Sequence, residues 1–409
     1  MFKILIANRY YSNRGGDSVY TFELTQLLQS HGHSVIPFAM NDEMRNERSE
    51  YSGYFVDNID FVESLKKANI LLGFRVISRT FYSKHARQKI NMLISETNPG
   101  IAHLQTIHHH ISPSILYEFK KYRIPVVWTI HDYALVCPAT LFLSKGKICE
   151  ACLGKKFYMA VLKNCKYDSL KASLVAAMET YFHHALNILK MVDVLIAPSK
   201  FVQEKLILHG VDKDKVIHIP NCINTKSFIP NYTCGNYAVF LGRLAREKGV
   251  SVLLHAMKKI PDRKLLIIGI GPFEEELRNE ARINNLSNVI FLGYRNREEI
   301  ISIVRNAAFV VVPSEWYENL PMSIMEALAL GKPVVASRIG GIQEMIKEGV
   351  NGLMFNMGDD KDLAEKMLYL WNHPKMIEEM GFQGRRFVEE RYSEEQHYQA
   401  IMQVYLKLT

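Results

Sequence analysis

Two glutamates, Glu318 and Glu326, flank the start of an apolar run at Pro321. Proline suits a first helical turn, and Gly331 followed by Pro333 suits a helix end. The spacing therefore puts Glu318 in a loop and Glu326 inside the following helix, about 10 Å or more apart. Such carboxylates cannot act as a coupled pair, so each would touch a different part of one long ligand. The free N–H groups of Asn319, Leu320 and the first helical turn make an anion site, and a diphosphate fits between the two carboxylates. The plainer alternative is two solvated glutamates beside a helix start.

A second group is Gly242-Arg243 followed by Lys248-Gly249, at the end of the apolar run 237–241. An arginine and a lysine there suit a diphosphate, one as a bidentate clamp and the other as a point charge; an ordinary basic loop is the alternative. Gly269 and Gly271 also follow an apolar run and permit close approach of a ligand. Gly293-Tyr294 could line a base pocket or form a plain turn. In the first half, Gly15 and Gly16 can bring backbone N–H groups to a phosphate or sugar. His131 and Asp132 end the run 126–130 and are expected at the same cleft.

Cys137, Cys149, Cys152 and Cys165 cluster in a loop-rich, basic stretch with the spacing C-x11-C-x2-C-x12-C. Four thiolates can hold a tetrahedral structural zinc; free buried thiols and disulfides are the alternatives. Cys222 and Cys234 read as unpaired. His103 and His108 to His110 are expected in a loop touching sugar hydroxyls rather than at a metal, because three consecutive histidines cannot face one centre.

Strands must carry these groups. Short apolar runs at 2–8, 34–38, 100–104, 126–130, 192–197 and 216–219 alternate with helical patterns, the first over 18–30. The alternation restarts at 237–241 and continues through 264–268, 289–292, 309–312 and 333–336. This predicts an α/β protein with two doubly wound, Rossmann-like domains facing each other across a cleft. The aperiodic stretch 224–236 reads as the linker. The expected domains are 1–225, for the acceptor, and 226–390, for the donor, with a helix at about 391–409 returning to the first.

The 409 residues are 48% hydrophobic, 22% charged and 11% aromatic, which excludes a disordered chain, a collagen-like chain and a small disulfide scaffold. No apolar run approaches the roughly 18 residues of a membrane span. Residues 2–8 read as a first strand rather than a signal peptide, so a cytoplasmic location is expected, peripheral at an inner membrane face if the basic surface docks there. Residues 1–225 hold 27 Lys+Arg against 19 Asp+Glu, while the remainder holds 23 of each. The excess concentrates at 75–89 and 155–171, interleaved with apolar and aromatic residues. A solvated surface and a dock for an anionic membrane or acceptor both fit; no nucleic-acid module is recognisable.

Glu318 and Glu326, the Gly-Arg…Glu-Lys-Gly stretch, Gly15-Gly16, Ile219-Pro220-Asn221 and Gly340-Gly341…Glu344 occur in an order that resembles glycosyltransferase family 4, the retaining, nucleotide-sugar-dependent enzymes of the GT-B fold. The resemblance implies a retaining transferase moving a sugar to a glycan or lipid-linked acceptor in cell-surface polysaccharide synthesis. It implies that Arg243 and Lys248 neutralise the donor diphosphate, Glu318 contacts the sugar, Glu326 the ribose, and Asn319 and Leu320 the sugar or phosphates. Gly16 would border the phosphate and acceptor, and His131 the transferred sugar. No cofactor is implied; a UDP-, GDP- or ADP-type sugar is the donor. Asn221-Cys222-Ile223-Asn224 and Asp17-Ser18 depart from the usual pattern. A nucleotide-sugar epimerase and a non-catalytic nucleotide-sugar-binding protein are the rival functions.

Overall fold

Apolar runs with no polar alternation belong to strands covered on both faces, and these runs build two parallel sheets. The computed structural model describes residues 1–12, 15–42, 46–58, 79–109 and 111–409. Residues 75–78 of the basic stretch, Arg75 among them, and His110 lie outside the described residues.

The chain divides into two units. One comprises Met1–Lys145, Cys149–Pro220 and His397–Thr409; the other comprises Gly146–Ile148 and Asn221–Gln396. In the first unit the strands are β1 (Lys3–Ala7), β2 (Ser34–Phe38), β3 (Ile101–Leu104), β4 (Val126–Thr129), β5 (Val194–Ala197) and β6 (Val216–His218). They pair in the order β6-β5-β4-β3-β1-β2. Register is set by pairs such as Ile4 with Ile101 and Leu104 with Trp128. The helices are α1 (Gly16–Ser30), α2 (Lys84–Thr97), α3 (Leu116–Lys121), α4 (Tyr158–Leu162), α5 (Leu170–Ala185) and α6 (Lys200–Leu208). Serine caps start α2, α5 and α6, where the hydroxyls of Ser83, Ser169 and Ser199 accept from the amides of Ala86, Ala172 and Val202.

In the second unit the strands are β7 (Tyr237–Leu241), β8 (Lys264–Ile268), β9 (Val289–Gly293), β10 (Phe309–Val312), β11 (Val334–Ser337) and β12 (Gly352–Phe355). Their order is β9-β8-β7-β10-β11-β12. The longer helices are α7 (Val250–Lys258), α8 (Glu274–Ile283), α9 (Arg297–Arg305), α10 (Met322–Ala329), α11 (Asp360–Asn372) and α12 (Pro374–Arg391). Two apolar layers cover the sheet, one containing Leu253, Ile267 and Phe355 and the other Ile324, Val334 and Val388.

The last helix, α13 (Glu394–Leu408), completes the first unit. Its Ile401 and Tyr405 are fully buried against Ile4, Ile6 and Tyr20. His397 Nδ1 donates to the carbonyl of Pro220 at 2.8 Å, and Tyr20 donates its hydroxyl to Nε2 at 3.1 Å.

The stretch 224–236, expected as a linker, is fastened to the second unit. Arg385 on α12 donates to the carbonyls of Thr225, Phe228 and Ala329 at 3.0, 2.7 and 2.6 Å. Lys332 donates to Thr233 O at 2.8 Å. Aperiodic sequence marks irregular backbone; here side chains from distant helices satisfy its carbonyls.

Candidate functional site

In the second sheet β7 and β10 are neighbours, and the chain winds away from them in opposite directions. The crevice at such a reversal, beyond the carboxyl ends of the strands, is where doubly wound sheets take ligands. Gly242-Arg243 leave β7 at this point, and Pro313-Ser314 leave β10. The two turns are pressed together at Gly249, whose φ of 66° is left-handed and whose added Cβ would lie 1.8 Å from the carbonyl oxygen of Pro313. The amide of Glu315 donates to Glu247 O at 2.8 Å across the same junction.

That contact brings charge together. Lys248 Nζ lies 2.6 Å from Glu318 Oε1, and Ser314 donates its hydroxyl to the same oxygen at 2.7 Å. The Glu318 side chain is 5% exposed and Lys248 24%. The ammonium also stands 5.1 Å from the centre of the Trp316 ring, a cation–π distance. Arg243 pairs with Glu247 and otherwise faces solvent. The Glu318 backbone is held from behind: Gly341 N donates to Glu318 O at 2.8 Å, and Gly340 (φ 55°) passes so close that a Cβ would fall 2.6 Å from that oxygen.

Asn319 is buried, yet neither its side-chain oxygen nor its nitrogen has a hydrogen-bond partner; the Trp316 indole N–H is likewise unpaired. A buried amide with both ends open is costly unless a ligand completes it. Leu320 turns its side chain into the apolar core. Pro321 is the cap of α10 rather than part of its first turn, and Glu326 lies within that helix. Gly271 serves packing, since a Cβ there would meet Leu244 O at 2.3 Å; the close approach is by backbone, not ligand. Gly242 N donates to Ile268 O at 3.1 Å, another link between adjacent turns. Tyr294 is exposed at the end of β9, two strands from β7.

In the first sheet the reversal falls between β1 and β3. Asn8, following β1, donates its side-chain amide to Tyr10 O at 3.0 Å and accepts from Thr106 N at 3.1 Å. Gly15 caps α1 with φ 89°, and among the described residues a Cβ on Gly16 would meet nothing within 4 Å. His131, following β4, places Nε2 2.7 Å from Gln105 Oε1. Nε2 therefore donates, and Nδ1 is the acceptor of a neutral ring. Burial holds its pKa below the ordinary value, against the opposing pull of Asp17 and Asp132. Gln105 escaped sequence reasoning, although it directly follows a strand at the reversal. Its buried Nε2 has no partner.

The histidine-rich stretch is corrected. His103 is not in a loop touching ligand; it lies on β3, fully buried, 2.6 Å from the Tyr405 hydroxyl and 2.8 Å from Thr129 Oγ1. His108 is buried against Trp128, with ring centres 5.1 Å apart. His109 Nδ1 pairs with Glu179 at 2.9 Å.

Cys137, Cys149, Cys152 and Cys165 do gather, and each carries a free thiol. Cys152 and Cys165 join Phe157 and Ala160 in a small apolar cluster. Burial pushes Cys137 up to about 11 and Cys152 up to about 12, which favours thiols over thiolates. Among the described residues no group of three or more His, Cys, Asp or Glu is arranged to hold a metal ion. The expected tetrahedral zinc site is therefore not shown by the described placement.

Comparison with known proteins places these features in context. Residues 14–227 match the family described as Glycosyltransferase Family 4, and residues 225–387 match Glycosyl transferases group 1. An uncharacterized glycosyltransferase of Methanocaldococcus jannaschii is 33% identical over 217 residues, covering 53% of this chain and 60% of its own length. A second from the same organism is 26% identical over 392 residues, covering 93% of this chain and 91% of its own. In shape, HepE of Anabaena, solved in complex with UDP and glucose, matches with a TM-score of 0.69 at 17% identity over 100% of both chains.

Proposed function

From the premise that this chain belongs to glycosyltransferase family 4, a transferase of the GT-B type, we propose that it moves a sugar, with retention, from a nucleoside diphosphate held by its second unit to a glycan or lipid-linked acceptor of a surface polysaccharide. The observation that carries this reading is the Lys248–Glu318–Ser314 cluster at the β7/β10 reversal, beside the unpartnered amide of Asn319.

Both cations of the site are already paired, Lys248 with Glu318 and Arg243 with Glu247. An arriving diphosphate carries at least two negative charges and competes for both. Once Lys248 turns to the phosphate, the Glu318 carboxylate is free to accept hydrogen bonds from the donor sugar, while Ser314 keeps one oxygen in place. Glu326, within α10, takes the ribose hydroxyls, and the N–H groups at the start of α10 take phosphate oxygens. Asn319 completes its bonds on the sugar or diphosphate.

In the transfer step the bond between the anomeric carbon and the phosphate oxygen breaks, its electron pair leaving with the nucleoside diphosphate. The acceptor oxygen bonds to the same face of that carbon, and its proton passes to the departing phosphate. Arg243 and Lys248 stabilise the charge that grows on the leaving group, which is the largest contribution expected from such a site. They do the work a divalent ion does elsewhere. The first unit serves the acceptor: the backbone N–H groups at Gly15-Gly16 and the neutral His131, fixed by Gln105, offer it polar contacts. HepE was solved with UDP and glucose, which supports a nucleotide-sugar donor here.

The test is release of nucleoside diphosphate from UDP-, GDP- and ADP-sugars with and without glycan or lipid-linked acceptors, with product configuration read by NMR. Acceptor-dependent release giving the donor's anomeric configuration is the expected result. Conversion of the donor without acceptor would indicate an epimerase, and tight binding without turnover a regulator.

A further inference from the structure

Helix α5 is inside out. Its sixteen residues bury Ser173, Ala176, Ala177, Glu179, Thr180 and His183, the small and polar side chains. Leu170, Leu174, Met178 and Tyr181, spaced as one helical stripe, face outward at 59%, 48%, 51% and 42% exposure. Helix α4, packed beside it, and the connection between them add Leu162 at 71% and Tyr167 at 81% exposure. A soluble helix normally turns its apolar stripe to the core. Contiguous exposed apolar side chains of this kind mark an interaction surface.

Charge selects the occupant. Lys155, Lys156, Lys163 and Lys171 are exposed around these residues, with Lys166 half-buried beside Tyr167. Among the described residues none of the five is ion-paired. Asp168 is the only acidic residue between 155 and 171. A second copy docked here face to face would set lysine against lysine. A sheet of phosphates would neutralise them while the stripe enters the acyl boundary, with tyrosines at the depth where an apolar ring and a polar hydroxyl are both satisfied.

Three bases of the other basic stretch are spent internally. Arg79 is buried on Asp57 O, Arg87 pairs with Glu118, and Lys89 donates to Gly53 O. No described helix is long and apolar enough to cross a membrane.

We propose that the α4–α5 lobe is a monotopic docking surface for an anionic lipid bilayer, with α5 lying in the membrane plane. At 1.5 Å per residue the helix lays about 24 Å along the interface. The lobe acts independently of the donor site.

The experiment is co-sedimentation of the full chain with vesicles of phosphatidylcholine alone and with about 30% phosphatidylglycerol. Binding is expected only to the anionic vesicles and should fade as salt is raised. Each of Lys163→Ser, Lys166→Ser and Lys171→Ser should lower the partition coefficient about five-fold. The triple variant Leu162→Ser, Leu174→Ser, Met178→Ser should abolish binding, and because these side chains are exposed its melting temperature should hold. No binding to either vesicle, equal binding to both, or binding untouched by the triple variant would overturn the proposal. So would a concentration-dependent dimer that the same substitutions dissolve. Vesicle binding without nucleoside diphosphate binding would refute the donor-site reading and leave this one standing.

Discussion

Lys248→Met removes the ammonium bonded to the buried Glu318 carboxylate. In the variant, Glu318 keeps only the Ser314 hydroxyl of its two side-chain partners. Stripping one member from a fully buried pair costs about 3–5 kcal/mol. Here the Lys248 side chain is 24% exposed and Ser314 remains, so a loss of about 2–3 kcal/mol is expected. Adding Glu318→Gln removes the stranded charge, and the glutamine oxygen still accepts from Ser314. The double variant should therefore recover about 2 kcal/mol, a coupling typical of directly bonded groups. Activity should behave differently. Lys248→Met alone loses charge at the leaving group, worth on the order of 10²-fold or more in turnover, and the double variant regains none of it. Thermal unfolding of the four proteins of the cycle, beside their turnover, separates the two effects. Additive stability losses would refute the ion pair; turnover restored together with stability would refute a catalytic charge on Lys248.

Gly340→Ala should cut turnover by on the order of ten-fold or more while far-UV circular dichroism is preserved, since the new methyl pushes on the Glu318 backbone oxygen and moves the carboxylate; normal turnover would show that Glu318 tolerates displacement. Arg243→Ala should lower turnover by about 10²-fold with an unchanged melting temperature, because the guanidinium is largely exposed, and transfer should continue in excess EDTA; abrupt loss restored by Mg²⁺ or Mn²⁺ would contradict the role given to the two cations. Stability should fall as pH drops from about 6.5 towards 4. Burial holds His103 down to about 3 and His397 down to about 4, so in this window the unfolded chain binds protons that the native state refuses. At pH 5 each costs about 2 kcal/mol, and urea midpoints for His397→Gln should show a shallower acid slope than the parent; identical slopes would remove His397 from the account.

Most of the architecture was legible because strands buried on both faces write themselves as uninterrupted apolar runs. The runs 237–241, 264–268 and 309–312 coincide with β7, β8 and β10. What those runs cannot encode is strand order. The sequence put Lys248 and Glu318 after two different strands; only the adjacency of β7 and β10 makes them partners. Ser314 and Gln105 were overlooked for the same reason, as single polar residues whose meaning depends on what a neighbouring turn presents. His103 misled because a polar residue in an apolar run resembles an exposed ligand-binding group until Tyr405, about 300 positions later, supplies its hydrogen bond. The four cysteines show the converse: their spacing alone foretold that they gather.

Calorimetric titration with UDP, GDP and ADP, on the parent and on Lys248→Met, tests the donor site most directly. One of the three nucleotides should bind the parent with a dissociation constant below about 1 mM, and the variant should bind it at least ten-fold more weakly, the loss expected for one charge-assisted hydrogen bond. Binding of equal strength to both proteins, or no binding of any nucleotide to the parent, would contradict the assignment of the β7/β10 reversal as the donor site.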